Sequence, residues 1–186
     1  MTAELRTAVV DAAREMLRLG LVTGTSGNVS ARDGRSFLIT PASMPYEQMD
    51  EADLVAIDSD GEPGEDGGEP SSEWRVHAAI YAARPDVKAI VHTHSVHATA
   101  WSFRGEPLDT GTEELEAATG GPVLTAAFAP TGSEEIAAAA AEALGDRGAV
   151  LLGRHGAVGV GATPEEALAI CVVLERQAEI AWLVSR

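Results

Sequence analysis

Cysteine is almost absent. Cys171 is the only one in 186 residues, so no intrachain disulfide can form, which excludes a small disulfide-stapled secreted fold. Long apolar runs are absent too, none approaching the roughly 20 residues of a membrane span. The opening Met1-Thr2-Ala3-Glu4-Leu5 carries neither the basic nor the apolar region of a signal peptide. We therefore expect a soluble, cytoplasmic protein that does not contact a membrane. Basic residues are scarce: 13 against 29 acidic ones leave a formal charge of -16. Nucleic acids and anionic membranes need net positive surface, so neither is expected as a partner, although the average leaves room for a local basic pocket. What remains is ordinary. A hydrophobic fraction of 45% is that of a soluble globular chain. The length suits one domain over residues 1–186, able to bury its core without cross-links.

Turn and cap chemistry divides the chain into short elements. Leu5, Val9, Ala12, Met16 and Leu19 recur at helical spacing, and Gly20 follows as a C-cap. Residues 28–32 and 36–40 flank Asp33-Gly34, a hairpin signal. A short strand at 54–58 runs into an acidic, glycine-rich loop over 61–69. A helix is expected over 72–84, a strand over 88–94, a second helix over 96–103 and a strand over 123–128. Ser133 caps a helix that runs to Leu144. Two short strands, 149–152 and 157–160, flank Gly153-Arg154-His155-Gly156. The last helix opens on Thr163, Pro164 and Glu166, the pattern of a capping box with proline at the first helical position. Alternating helices and strands with hairpin-like connections argue for a sheet layered with helices, an α/β arrangement and not a bundle.

Few residues can carry chemistry. His92-Thr93-His94 lies in the expected 88–94 strand, where residues two apart share a face about 6–7 Å apart. Two imidazoles so placed can grip one metal ion, or each can be a hydrogen-bonded core histidine. His155 sits between glycines in a turn, where the backbone can approach closely. Three histidines with one open position are the arrangement of a catalytic zinc, whereas structural zinc is usually closed by cysteines. Glu73, in the first turn of the 72–84 helix, reads either as a carboxylate favoured by the helix dipole or as a general base folded back over the histidines. Gly24-Thr25-Ser26-Gly27-Asn28 and Ser71-Ser72 both offer N–H and hydroxyl donors to an anion; a Gly/Ser loop is also simply a turn. His77, one turn after Glu73, could orient that carboxylate or face solvent and is read as structural; His97 is read as core or as support for the metal site, and Glu113-Glu114 as a solvated loop pair that could reach into a site.

Together these pieces resemble the class II aldolase/adducin family of zinc-dependent sugar-phosphate aldolases and epimerases. The likeness runs from Gly24-Thr25-Ser26-Gly27-Asn28-Val29-Ser30-x-Arg32 through Pro70-Ser71-Ser72-Glu73-Trp74-x-x-His77 and Arg84-Pro85-Asp86. It continues through Ile90-Val91-His92-Thr93-His94-Ser95-x-His97 to His155-Gly156. It is nearest the fuculose-phosphate aldolase branch, since Glu73 stands where the 4-epimerases usually carry Asp. The resemblance implies a three-layer α/β/α sandwich on a mostly antiparallel sheet. It implies Zn²⁺, one per chain, on His92, His94 and His155, and a C4 homotetramer with sites at subunit interfaces. Thr25, Gly27, Asn28, Ser71 and Ser72 would bind the phosphate of a sugar-phosphate substrate, with Ser43 at the same pocket, and Glu73 would move the proton beside the carbonyl. Zinc at the carbonyl would act where enediolate charge develops. The single lysine, Lys88, lies outside every motif, and no Schiff base is needed.

Three departures bear on the transfer. Thr40-Pro41-Ala42-Ser43-Met44-Pro45-Tyr46 lacks one phosphate-side hydroxyl of the family's Thr-Pro-Ser/Thr-Gly and puts Ser43 in place of glycine, which reshapes the anion pocket. The aldolases use a tyrosine beyond the His-x-His strand as acid at the aldehyde end, yet Tyr46 and Tyr81, the only tyrosines, both precede His92. The sequence reaches Arg186 without the C-terminal tail of longer aldolases. We expect retained bond chemistry with a changed aldehyde partner. The rivals are a 4-epimerase or dehydratase on the same scaffold, the latter using Glu113 or Glu114, and a non-catalytic adducin-like domain.

Overall fold

The computed structural model describes residues 2–58, 62–64 and 68–185. Six helices and seven strands alternate along it: α1 (Ala3–Arg18), β1 (Asn28–Asp33), β2 (Ser36–Ile39), β3 (Val55–Ile57), α2 (Trp74–Ala83), β4 (Ala89–Thr93), α3 (Val96–Ser102), α4 (Glu113–Thr119), β5 (Thr125–Ala126), α5 (Glu134–Leu144), β6 (Ala149–Leu152), β7 (Gly156–Gly161) and α6 (Pro164–Val184). The strands form one sheet in the order β3-β2-β1-β4-β7-β6-β5. Every pairing is antiparallel except β5 with β6.

Strand periodicity sorts the side chains onto the two faces of the sheet. Ile90 of β4, Phe37 and Ile39 of β2, and Val150 and Leu152 of β6 pack with α2 and α5. Their sequence neighbours Ala89, Val91 and Leu38 pack with α1 and part of α6, while Ala149 and Leu151 meet α3, α4 and the rest of α6. The sheet is thus sandwiched between helices on both faces, and β4, buried along its whole length, runs through the middle. Of the described residues, no helix is long and apolar enough to cross a membrane.

Local chemistry explains most element ends. Thr2, Ser133 and Thr163 each accept a hydrogen bond from the N–H three residues on, as N-caps should. The 28–40 hairpin forms one residue later than its signal suggests, because Asp33 pairs with Ser36 and leaves Gly34-Arg35 as the turn. Two expectations need correction. The strand over 123–128 shrinks to Thr125–Ala126: Val123 instead makes an isolated bridge to Leu108, and Phe128 is exposed. Glu113 and Glu114 are not in a loop. They open α4, capped by Thr112, where the helix dipole favours carboxylates. Of the acidic stretch over 61–69, residues 61 and 65–67 lie outside the described residues; Gly64 N–H donates to the Ala56 carbonyl.

Candidate metal centre and anion pocket

The register of the sheet sets the site's position. Asn28 of β1 stands directly opposite His92 of β4, and Ser30 opposite Ile90. Since Ile90 faces α2, so do His92, Asn28 and Ser30. Strand β4 ends at Thr93, and His94 follows it where Ser95 opens α3; the two imidazoles still meet, Nε2 to Nε2, at 2.9 Å. His155 arrives from the turn between β6 and β7, its N–H held by the Leu152 carbonyl at 3.0 Å. Gly156 permits that approach: a Cβ there would lie 2.3 Å from the Thr93 carbonyl oxygen and 3.1 Å from the His92 ring. The three rings stand edge to face with centroids 4.8, 4.9 and 4.9 Å apart.

Glu73 closes the cluster from α2. It is the N-cap residue, not part of the first turn, and its carboxylate makes no capping bond. Oε2 lies 3.0 Å from His92 Nε2 and Oε1 3.1 Å from His155 Nε2. One candidate ligand atom from each of Glu73, His92, His94 and His155 falls within 4.8 Å of all the others.

These four groups fit a cation. His92 Nδ1–H is directed to the Ala157 carbonyl at 2.9 Å, which fixes the tautomer and turns a bare Nε2 lone pair toward the cluster. Glu73 Oε1 is buried without a hydrogen-bond partner among the described residues. A set of lone pairs converging without protons to share is costly unless positive charge joins them. Burial opposes charge on all four groups, yet the imidazoles hold the Glu73 carboxyl well below the usual carboxylate range. Burial is the largest influence on His92 and lowers it, but the Glu73 carboxylate and the Ala157 carbonyl together raise it by more, so its net shift is upward. Burial, and then the neighbouring imidazoles, push His94 down to about 4 and lower His155. An uncharged imidazole is the form that ligates metal.

The cluster opens into a cavity of about 430 Å³ lined by Thr25, Ser26, Gly27, Asn28, Ala42, Ser43, Glu69, Ser71, Ser72, Glu73, His94, Thr131 and His155. All six residues expected at an anion site are in this lining. Gly27 is required where it stands: its φ is +75°, and a Cβ would meet the His92 carbonyl oxygen at 2.6 Å. Ser26 Oγ donates to the Thr23 carbonyl, and the Tyr46 hydroxyl donates to the Gly27 carbonyl at 2.7 Å, so the loop is clamped from both sides. Ser43 adopts a left-handed backbone (φ 58°), a strained conformation for a residue with a side chain.

Sequence reasoning missed Thr131 and Glu69, which reach the cavity from distant loops, and the clamp made by Tyr46, while Ala42 lines the cavity where the missing hydroxyl was expected. His77 does not face solvent; it is fully buried against Ser30 and Asn28. His97 pairs with Glu175 at 2.8 Å. Glu114 is engaged by Gln177 at 2.6 Å, and neither it nor Glu113 lines the cavity.

Residues 7–182 match the family model described as Class II Aldolase and Adducin N-terminal domain, and the chain belongs to that family as an aldolase-type lyase. An L-fuculose phosphate aldolase of Escherichia coli O6:H1 is 41% identical over 177 residues, covering 95% of this chain and 82% of that protein. A 5-methylthioribulose-1-phosphate/5-deoxyribulose-1-phosphate aldolase of Rhodospirillum rubrum is 39% identical over 178 residues, 96% of this chain and 80% of that one. Among solved structures, an L-fuculose 1-phosphate aldolase superposes with a TM-score of 0.94 at 31% identity, covering 100% of this chain and 88% of its own. The three-layer fold with its mostly antiparallel sheet is therefore the class II aldolase fold.

Proposed function

We propose that this enzyme is a zinc-dependent aldolase that cleaves a ketose 1-phosphate into dihydroxyacetone phosphate and an aldehyde. The observation that carries the reading is the placement of the Glu73 carboxylate, 3.0 and 3.1 Å from two imidazoles of the metal cluster, at the wall of a cavity lined by anion donors. His92, His94 and His155 would hold Zn²⁺, whose nitrogen-rich donor set they match. When bound, the ion supplies Lewis-acid stabilisation of charge on the substrate's carbonyl oxygen. Thr25, Gly27, Asn28, Ser43, Ser71 and Ser72 would seat the phosphate and so fix the reacting carbons. In cleavage the bond between C3 and C4 breaks, C4 becomes the aldehyde as its hydroxyl loses a proton, and Glu73 delivers a proton to C3.

Neither tyrosine is available at the aldehyde end. Tyr46 is committed to the Gly27 carbonyl and Tyr81 to Ser30 in the core; burial raises the pKa of both hydroxyls. The two aldolase relatives are named for ketose 1-phosphates that differ beyond the phosphate end, which supports a common phosphate seat and leaves the aldehyde as the variable part. We further infer a homotetramer with sites at subunit interfaces. The exposed apolar residues Val96, Phe103, Phe128, Leu183 and Val184 support it, and light scattering tests it.

The functional test is a screen of ketose 1-phosphates with zinc-loaded protein, scored by release of dihydroxyacetone phosphate. Glu73→Gln keeps the shape but cannot carry the proton. Turnover, and exchange of the C3 proton of dihydroxyacetone phosphate with D₂O, should both fall by about 10²–10⁴-fold, with zinc content near normal. Undiminished exchange in that variant, or an epimerised product without cleavage, would overturn the assignment.

A further inference from the structure

A chain of buried polar side chains runs from Asn28, at the cavity wall beside Glu73, into the core through His77, Ser30 and Tyr81, and it has a single consistent direction. Asn28, Ser30 and His77 are each at most 1% exposed, and Tyr81 and Glu73 are 5% exposed. Asn28 Nδ2 lies 3.1 Å from Glu73 Oε2 and 2.9 Å from Ser71 Oγ. A carboxylate only accepts, so the amide must turn its NH₂ to Glu73 and its Oδ1 the other way. Oδ1 then meets His77 Nε2 at 2.6 Å, and that nitrogen must carry the proton. Burial keeps this imidazole neutral, lowering its pKa to about 3, so Nδ1 is an acceptor. Ser30 Oγ, 2.6 Å away, donates to it and accepts from the Tyr81 hydroxyl at 2.8 Å. Every hydrogen in the chain is thereby assigned.

We propose that His77 is a positioning residue for the proton transfer. From the core it holds the Asn28 amide in the one orientation that presents NH₂ to both Glu73 and Ser71, tying the base and the anion pocket to one bracket. The proposal rests on Glu73 being the base. The same amide is tied to Ser71, so the bracket also reaches the anion pocket whose wall Asn28 shares. Without the His77 N–H, the amide gains freedom to rotate and bring Oδ1 against the carboxylate. A misplacement of about 1 Å can cost 10²-fold in rate, which sets the scale of the effect.

Three measurements test this. Nitrogen-15 NMR of the metal-stripped protein should show His77 protonated at Nε2 and bare at Nδ1; this arm needs no activity and stands apart from the aldolase reading. In the zinc-loaded enzyme, His77→Leu should lower kcat for C3-proton exchange of dihydroxyacetone phosphate by about 10- to 100-fold, while KM moves less than about threefold, because the cavity lining is untouched. His77→Gln, which retains an amide N–H toward Asn28, should recover most of the loss. A merely structural histidine would lower stability without that split or that rescue. Protonation at Nδ1, full exchange in His77→Leu, or a His77→Gln variant as slow as His77→Leu would each overturn the proposal. If His77→Leu does not fold, the NMR and His77→Gln arms still decide. Wild-type protein that exchanges no proton would instead refute the aldolase reading, leaving the tautomer result to judge the bracket.

Discussion

Buried His77 makes stability depend on pH in a defined direction. Its pKa is about 3 in the folded protein against 6.5 for an unperturbed histidine, chiefly because burial disfavours the charged ring. At pH 8 neither state binds the proton. As pH falls through 6.5 the unfolded chain takes it up and the folded protein does not, so stability declines from there until about pH 3. At pH 5 the unfolded state has gained a factor of about 30, which corresponds to about 2 kcal/mol of lost stability. For a chain of this length that is roughly 4–8 °C in Tm. The assay is urea unfolding of metal-stripped protein at pH 8 and pH 5, at one protein concentration, for wild type and His77→Gln. Titrations of the other histidines and carboxylates are common to both proteins and cancel. The stability difference between the two should therefore shift by about 2 kcal/mol in favour of the variant on going to pH 5. Parallel pH curves would show that the folded protein accepts the proton at His77, and the directed chain through Asn28 would fall with it.

Three further outcomes follow from the site. Gly27→Ala combines a φ of +75° with a Cβ 2.6 Å from the His92 carbonyl and should cost about 1–3 kcal/mol in urea unfolding; a loss below about 0.5 kcal/mol would mean the loop relaxes freely. His94→Ala should lower zinc occupancy at least 10–100-fold, the range for groups that only support a ligand, and full occupancy by elemental analysis would remove His94 from the ligand set. Ser72→Ala should raise KM for the phosphorylated substrate several-fold with kcat nearly constant, since it removes uniform binding; an unchanged KM places the phosphate elsewhere.

Much of this was legible because it is local. The caps at Ser133 and Thr163 and the His-x-His spacing each act over a few residues, and the family resemblance joined them in order. The misses involve partners far apart in sequence. Nothing around Glu113 reveals that α4 has a core face, because that short helix buries only Leu115 and Thr119. Val123 reads as strand by propensity, yet its partner is Leu108, in an isolated bridge. Thr131 reaches the cavity through the loop before α5. The alternation of Asn28 and Ser30 with Val29 and Ala31 was visible, but only the pairing of β1 with β4, with α2 laid over it, brings His77 to those two polar positions.

The strand order also governs how the chain can be made. Strand β4 is central, yet its partner β7 does not begin until Gly156, while β4 ends at Thr93. During synthesis the N-terminal half can assemble β3-β2-β1-β4, leaving one apolar edge of β4 unpaired for the few seconds that translation needs to reach β7. Such an edge is a template for pairing with another chain. His155 comes with the same late hairpin, so the ligand set is completed in the step that covers the edge. A nascent chain stalled between residues 93 and 156 would thus be both aggregation-prone and unable to capture metal on three histidines. Ribosome profiles and pull-downs of stalled chains can separate that interval from the stretches on either side.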